Sequence, residues 1–338
     1  MLRMLAVSAL VILGACKDDA SAPAAKPSES APQAQADASD NAPATPPGQD
    51  DANSGSGLTG AVHNALGSAK ASRATRLFSE DATVVVSVDV AAFVQQPLFE
   101  SLRNRLGPRP RAQLDAATLC GVGPDKWRTF VIGVDPNSAN MAMVTEAEGV
   151  GTKTALQCLA KEIGTFTLAD DGKRLSDRTG GGIVLDDDAI AFATPAWMTT
   201  LADRIDGKSK APTPGALDAL LARTDATKPL WFAAVVPPMG RSMARGMLGS
   251  DPIDVTGSVS LAGKVGLQLA ITVSDAKAAH MQLHSQWNAF KGLAMANGVP
   301  QAVADSVKLG QAGETVTVEL SASYDDVETL LTKFMPRR

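Results

Sequence analysis

The chain has little of what most reaction sites are built from. Its 338 residues include three His, three Cys and one Tyr, and aromatic residues make up only 4%. Three histidines leave a histidine-dependent triad few members to draw on, and no Gly-x-Ser-x-Gly elbow occurs. No cysteines are spaced as a catalytic C-x-x-C pair. With few aromatics to stack bases, and a formal net charge of −5, nucleic acid is a poor fit as a partner. Beyond residue 14 every apolar run is short or broken by charge, so none approaches the roughly 20 residues that a membrane-spanning helix needs.

What is present begins at the N-terminus. Met1-Leu2-Arg3 puts one positive charge before an apolar run, Met4 to Gly14, interrupted only by Ser8. A charged head, a short apolar run and small residues at its end mark a secretory signal peptide, here residues 1–15. The run leads into Leu13-Gly14-Ala15-Cys16, which resembles the lipobox of bacterial lipoproteins. The resemblance implies cleavage between Ala15 and Cys16, a diacylglycerol on the Cys16 thiol and acylation of the new amine. Two or three acyl chains anchor a protein stably, where one binds only marginally. The partner so implied is a membrane, reached through the N-terminal lipid. Lys17 stands where the inner-membrane retention signal of enterobacterial lipoproteins has Asp, so the resemblance favours the outer membrane of the cell envelope.

Residues 17–57 contain no Leu, Ile, Val, Phe, Met, Trp or Tyr. Such a segment cannot bury enough apolar surface to offset chain entropy, and with Cys16 it reads as a lipidated, disordered tether. Two lysines face seven carboxylates there, a net of −5, so the acidity of the chain resides in the tether and the remainder is nearly neutral. Stretched out, the tether spans at most about 140 Å; as a coil it spans about 35–40 Å. Residues 58–78 read as a connecting segment of weak helical character, loosened by Gly60 and Gly67.

The body carries an approximate duplication. In the first unit, residues 79–206, a β-branched strand at Ala82–Val90 precedes a helix at Pro97–Leu106 that closes on Gly107. A hairpin follows, Trp127–Val134 and Met141–Glu148 about the turn Asp135-Pro136-Asn137-Ser138. A helix at Lys153–Ile163, a strand at Ala189–Thr194 and a helix at Ala196–Ile205 complete it. After a joint at 207–226, the second unit, 227–338, repeats the order. Its elements are a strand at Leu230–Val236, a helix at Met239–Leu248, a hairpin of Val255–Leu261 and Val265–Val273, a helix at Asp275–Met295, a strand at Thr315–Ser321 and a helix at Tyr324–Phe334. Hairpins demand antiparallel pairing, so the expected fold class is α+β: two tandem strand-helix-hairpin-helix-strand-helix units with antiparallel sheets. In layout the whole resembles uncharacterised envelope lipoproteins of Gram-negative bacteria, a likeness that transfers no functional residue.

With Cys16 assigned to lipid, Cys120 and Cys158 remain, and an exported chain with two cysteines points to a disulfide. The alternative is a pair of buried thiols. Several patterns invite a functional reading. Glu148 to Thr154 lies between a strand and a helix, but Thr152 separates Gly151 from Lys153 and spoils a phosphate loop. His280 and His284 share a helical face at metal spacing, yet Met281 stands where a metalloprotease has Glu. That helix is expected to bury Ala279, Leu283, Trp287, Phe290 and Ala294. Asp186-Asp187-Asp188 reads as a polar turn before a calcium site. Arg103, Arg105, Arg109 and Arg111 form a candidate patch for an anionic partner: a protein, a polysaccharide or a lipid headgroup. Met239, Met243 and Met247 make a stripe at helical spacing, either core filling or the wall of an apolar pocket.

No motif calls for a catalytic residue, a metal or a cofactor. The sequence therefore reads as a membrane-anchored envelope lipoprotein that is not an enzyme and serves binding or scaffolding. Its rivals are a carrier or chaperone for a hydrophobic ligand, for which a dry cavity of about 300 Å³ or more would speak, and a hydrolase of unfamiliar site.

Overall fold

A computed structural model describes residues 73–209 and 215–334. The signal peptide, Cys16, the tether and His63 lie outside the described residues. In chain order the first unit runs β1 (Val84–Asp89), α1 (Val90–Val94), α2 (Pro97–Arg105), α3 (Pro108–Leu119), β2 (Trp127–Asp135), β3 (Asn140–Ala147), α4 (Lys153–Ile163), β4 (Phe166–Leu168), β5 (Arg174–Asp177), β6 (Gly180–Asp186), β7 (Ala189–Ala193) and α5 (Pro195–Ile205). The joint holds α6 (Ala216–Arg223). The second unit runs β8 (Leu230–Val235), α7 (Pro238–Leu248), β9 (Pro252–Ser260), β10 (Val265–Val273), α8 (Ala276–Ala296), α9 (Gln301–Ser306), β11 (Lys308–Ala312), β12 (Thr315–Ala322) and α10 (Tyr324–Phe334).

The α+β class and the antiparallel pairing agree with the sequence reading, and the two units share one twelve-stranded sheet. Its centre is the antiparallel pair β1–β8, in register from Val84↔Ala234 to Val88↔Leu230. From β8 outward the order is β9, β10, β12, β11; from β1 outward it is β2, β3, β7, β6, and then β5 and β4. The same path is traced twice about the central pair, which is the duplication expressed in hydrogen bonds. β1 occupies the middle because Val84-Val85-Val86 is β-branched and buried on both faces. Three local corrections follow. β4, β5 and β11 were not anticipated, nor were the short helices α1 and α9. The joint contains a helix. Gly107 does not close α2 as a left-handed stop: it is extended (φ −63°, ψ 169°) and leads into α3 through Pro108.

Each face of the sheet is covered differently. On one, α5 sets Trp197 and Leu201 against Val85, Val131, Ala142, Ala191 and Trp231. Leu201 is 1% exposed, and burying such a side chain contributes about 1.5–3 kcal/mol. Ala74 and Phe78 enter the same core, so the end of the 58–78 segment is part of the body. The Phe78 ring lies on Gly133, where any side chain would collide with it. On the opposite face α3 and α4 cover Ala147, Leu175 and Ile190 of the first unit, while α8 covers Ile271, Val273 and Val316 of the second. Cys120 at the end of α3 and Cys158 within α4 form a disulfide, with Cα atoms 5.6 Å apart.

Candidate apolar surface

Residues paired across an antiparallel sheet share a face, so register identifies what lies beneath the second helical layer. A single row crosses every strand. In the first unit it passes through Leu168, Leu175, Gly182, Phe192, Met143, Ile132 and Val86. In the second it continues through Phe232, Gly257, Leu269, Val318 and Leu309. The row is apolar throughout, but its two halves are covered unequally. In the first unit Leu175, Met143, Ile132 and Val86 are buried and Leu168 and Phe192 half-buried. Phe232, Leu269, Val318 and Leu309 are only half-buried, as are their same-face neighbours Leu267, Leu320 and Ile271. On the other face of the second unit Trp231, Ala233 and Ser258 of β8 and β9 are buried, next to α6, while β10 and β12 carry Gln268, Thr317 and Glu319. The outer strands of the second unit therefore form a one-sided sheet whose apolar side is incompletely roofed.

The floor of this open region is packed closely. The Phe232 ring lies over Gly257 beside the Leu269 side chain, and a Cβ on Gly257 would overlap both. One side of the region is α10, which has no buried residue. It is held to α2 by polar contacts: Arg105 donates to Glu328 Oε1 at 2.5 Å and to Thr332 Oγ1 at 2.8 Å, and Ser101 donates to Glu328. The Tyr324 hydroxyl is 2.6 Å from both Gln96 Oε1 and the Leu261 carbonyl oxygen. The far end of α10 brings Lys333 against Gly298, just past α8.

The helices of the second unit turn apolar side chains to solvent. Met239, Met243 and Met247 of α7 are 75%, 73% and 62% exposed. They neither fill a core nor line an enclosed pocket, which corrects both readings of the stripe. The reason lies on the opposite side of α7, where Leu248 joins the core beneath α8, Arg241 donates to the Val236 carbonyl and Arg245 pairs with Asp251 at 2.5 Å. With Leu248 turned inward, the methionines on the other side of α7 face out, and Arg245 stays at the surface. On α8, Ala276, Ala279 and Ala294 are buried as the small-residue face, but Phe290 is 53% exposed, and Met281 and Leu293 are exposed too. The expectation that α8 buries Phe290 is thereby overturned.

The four arginines do not make one patch. Arg105 turns inward, its side chain 3% exposed against Glu328. Arg103 is paired with Glu100 and Asp115, and Arg111 donates to the Asn104 carbonyl. Only Arg109 and Arg111 remain as exposed cations of the group. Asp186-Asp187-Asp188 forms the β6–β7 turn: Asp186 accepts from Arg73, and Asp188 accepts from Arg128 and from the Gly149 amide. Burial would raise the Asp186 pKa, but the Arg73 and backbone hydrogen bonds outweigh it and hold the carboxyl below its ordinary value. The glycines of the phosphate-loop lookalike serve this turn, since the Gly151 amide donates to the Asp187 carbonyl and a Cβ on Gly151 would strike the Asp186 carbonyl. His280 and His284 have ring centres 6.3 Å apart, and His284 is hydrogen-bonded to Asn288. No group of three or more metal-ligating side chains occurs among the described residues, and none of their helices is long and apolar enough to cross a membrane.

Two features were not foreseen. Arg204 of α5 has a side chain 6% exposed, with Glu80 3.7 Å away; burial lowers its pKa and Glu80 opposes that shift. An apolar cavity of about 30 Å³ lies between Met143, Phe166, Leu175 and Phe192 over the bend at Gly180-Gly181-Gly182. It holds about one water and is an order of magnitude below a ligand pocket.

No protein-family model matches the chain, and no curated protein matches it. Among solved structures it is similar to crystal form III of TP0453, with a TM-score of 0.50 and 8% identity over 77% of this chain and 97% of that one. Crystal form I of TP0453 gives a TM-score of 0.49 at 8% identity, covering 78% and 97%. At this identity the likeness to TP0453 is one of fold.

Proposed function

We propose that this chain is a lipid-anchored protein of the cell envelope, at the outer membrane, and that its body is non-catalytic and binds an apolar partner through the open face of the second unit. The observation that carries this reading is the unequal cover of one continuous apolar row. On the same sheet face α3 and α4 cover Ala147, Leu175 and Ile190 in the first unit, while Phe232, Leu269 and Val318 are left half-buried in the second. Exposed apolar patches beyond a few hundred Å² on a folded protein mark binding surfaces. The anchor rests on the lipobox-like Leu13-Gly14-Ala15-Cys16.

Both parts can be tested separately. Palmitate labelling of the wild type and of Cys16→Ser tests the anchor, and equal labelling refutes it. Binding of N-phenyl-1-naphthylamine to the native chain tests the open face. Its fluorescence should rise with wild type, and Leu269→Lys should remove most of that rise while leaving the far-ultraviolet circular dichroism unchanged. A native chain that leaves the dye dark sinks this reading of the face.

A further inference from the structure

Helix α8 meets the body closely toward its two ends and stands off between them. Phe290 follows Ala279 by 11 residues and Leu283 by 7, and precedes Ala294 by 4, each close to a whole number of turns. All four therefore share the side of α8 that faces the body. Ala279 and Ala294 are buried there and Leu283 packs on the core, yet Phe290 is 53% exposed. Its ring lies 6.4 Å from that of Trp287, which is half-buried. The face that α8 covers through Ile271 and Val316 is also the face of Phe232, Leu269 and Val318. Seated on alanines, α8 rides close to this sheet, so the space beneath the two aromatics is too low for a second helix, about 10 Å across with its side chains. Nor can the floor bond an extended peptide, because β9, β10 and β12 each have ladder partners on both sides. What fits is an occupant with no polar group along its length, a hydrocarbon chain.

We propose that this face holds an acyl chain of the protein's own Cys16 lipid while the protein is in water, and releases it when the anchor enters a bilayer. Such occupancy requires both the lipid anchor and the open face proposed above. The length of chain ahead of the body, and the lipid at its end, select this occupant. Between Cys16 and Arg73 lie 56 residues, and as a coil that many residues span about 40 Å. The body end of this stretch is fixed, since Arg73 pairs with Asp186 at the β6–β7 turn. Strand register puts that turn at the same end of the sheet as the β9–β10 turn. β10 is the seventh strand from β6, about 34 Å away at about 4.8 Å per strand. The lipid therefore reaches the open face, and a tether matched to its span presents it there at about millimolar effective concentration. The face has room for one hydrocarbon chain beneath α8, whereas a bilayer takes up all two or three chains of the anchor. Water thus favours the folded-back lipid, and a membrane draws it out and leaves the face free for another apolar partner.

The test uses the full chain, purified in detergent and diluted into buffer to nanomolar concentration. Cells fed a palmitate analogue with a diazirine near its methyl end place a photocrosslinker in the Cys16 lipid. Irradiation in water should join that lipid to β8, β9, β10, β12 or Trp287–Phe290 of the same chain, at the mass of a monomer. Phosphatidylcholine vesicles should reduce those crosslinks at least about fivefold. N-phenyl-1-naphthylamine gives a second reading: half-saturation of Cys16→Ser should need at least about tenfold less dye than that of the acylated chain. Leu269→Lys should remove most of the crosslinks. Crosslinks scattered over the body, or joining two chains, overturn the inference. Failure of the analogue to enter Cys16 refutes the anchor and the inference with it, while a dark dye with Cys16→Ser refutes the open face and the inference with it. Equal half-saturation in the two forms, with added palmitate displacing the dye from both, keeps the face as a site for a free fatty acid and overturns self-occupancy alone.

Discussion

The ion pair between α2 and α10 should respond to substitution in an order opposite to that of residue size. Arg105 has a side chain 3% exposed, while Glu328 is 42% exposed. Their contact, with those of Ser101 and Thr332, ties the first unit to the last helix of the second across 223 positions of sequence. Glu328→Ala leaves a guanidinium buried without its counter-charge. Breaking a fully buried pair in this way costs about 3–5 kcal/mol. Because water reaches the Glu328 side and Thr332 still accepts from Arg105, about 2–3 kcal/mol is expected here. At about 2–4 °C per kcal/mol for a body of this size, Tm should fall by roughly 4–12 °C. Arg105→Met with Glu328→Gln removes the buried charge and fills the volume, so the double variant should recover most of the loss and melt within about 1 kcal/mol of wild type. Thermal melts of Arg105→Met, of Glu328→Gln and of the double variant form a mutant cycle whose coupling term isolates the pair. Losses that simply add would refute the account, because they would show that Arg105 tolerates burial without Glu328.

Two further outcomes follow from covalent and titrating groups. Reducing Cys120–Cys158, which closes a loop of sequence separation 38, should lower unfolding stability by up to about 4 kcal/mol on the chain-entropy account; an unshifted denaturant midpoint after reduction contradicts it. Acid should destabilise the body through Asp186, Asp225, Asp251 and Asp305, whose pKa values are all held below the ordinary 3.8. A depressed folded-state pKa contributes stability that is complete above the unfolded value and lost as pH falls through the folded one, so the midpoint should hold near neutrality and decline below about pH 4. A midpoint that stays level down to pH 3 would exclude these pairs as contributors.

How much of this molecule was legible in its sequence depended on whether a feature is decided locally. The periodicity and caps of α4, α10 and β10 are self-contained, and their limits match the pattern in the chain: Thr152 caps α4 by accepting from the Ala155 amide, and a glycine follows Ile163. β4, β5 and β11 are three, four and five residues long, and β11 is Lys-Leu-Gly-Gln-Ala, with little strand propensity of its own. It is a strand because β12 offers an edge. Arg105 looked like one of four surface cations because its partner is supplied from the other end of the chain. The methionine stripe shows the limit most plainly. Spacing of four residues establishes that Met239, Met243 and Met247 share one side of α7, but not whether that side meets protein or solvent. That depends on the layer beneath. In the second unit the alternation Leu267-Gln268-Leu269 calls for cover on one face only, and α8 supplies it chiefly through Ala276 and Ala279, whose small side chains let α8 lie close over Val273 and Val316. A layer seated on alanines has no room for a methionine row beneath α7, so Leu248 alone is drawn inward and the row is left outside.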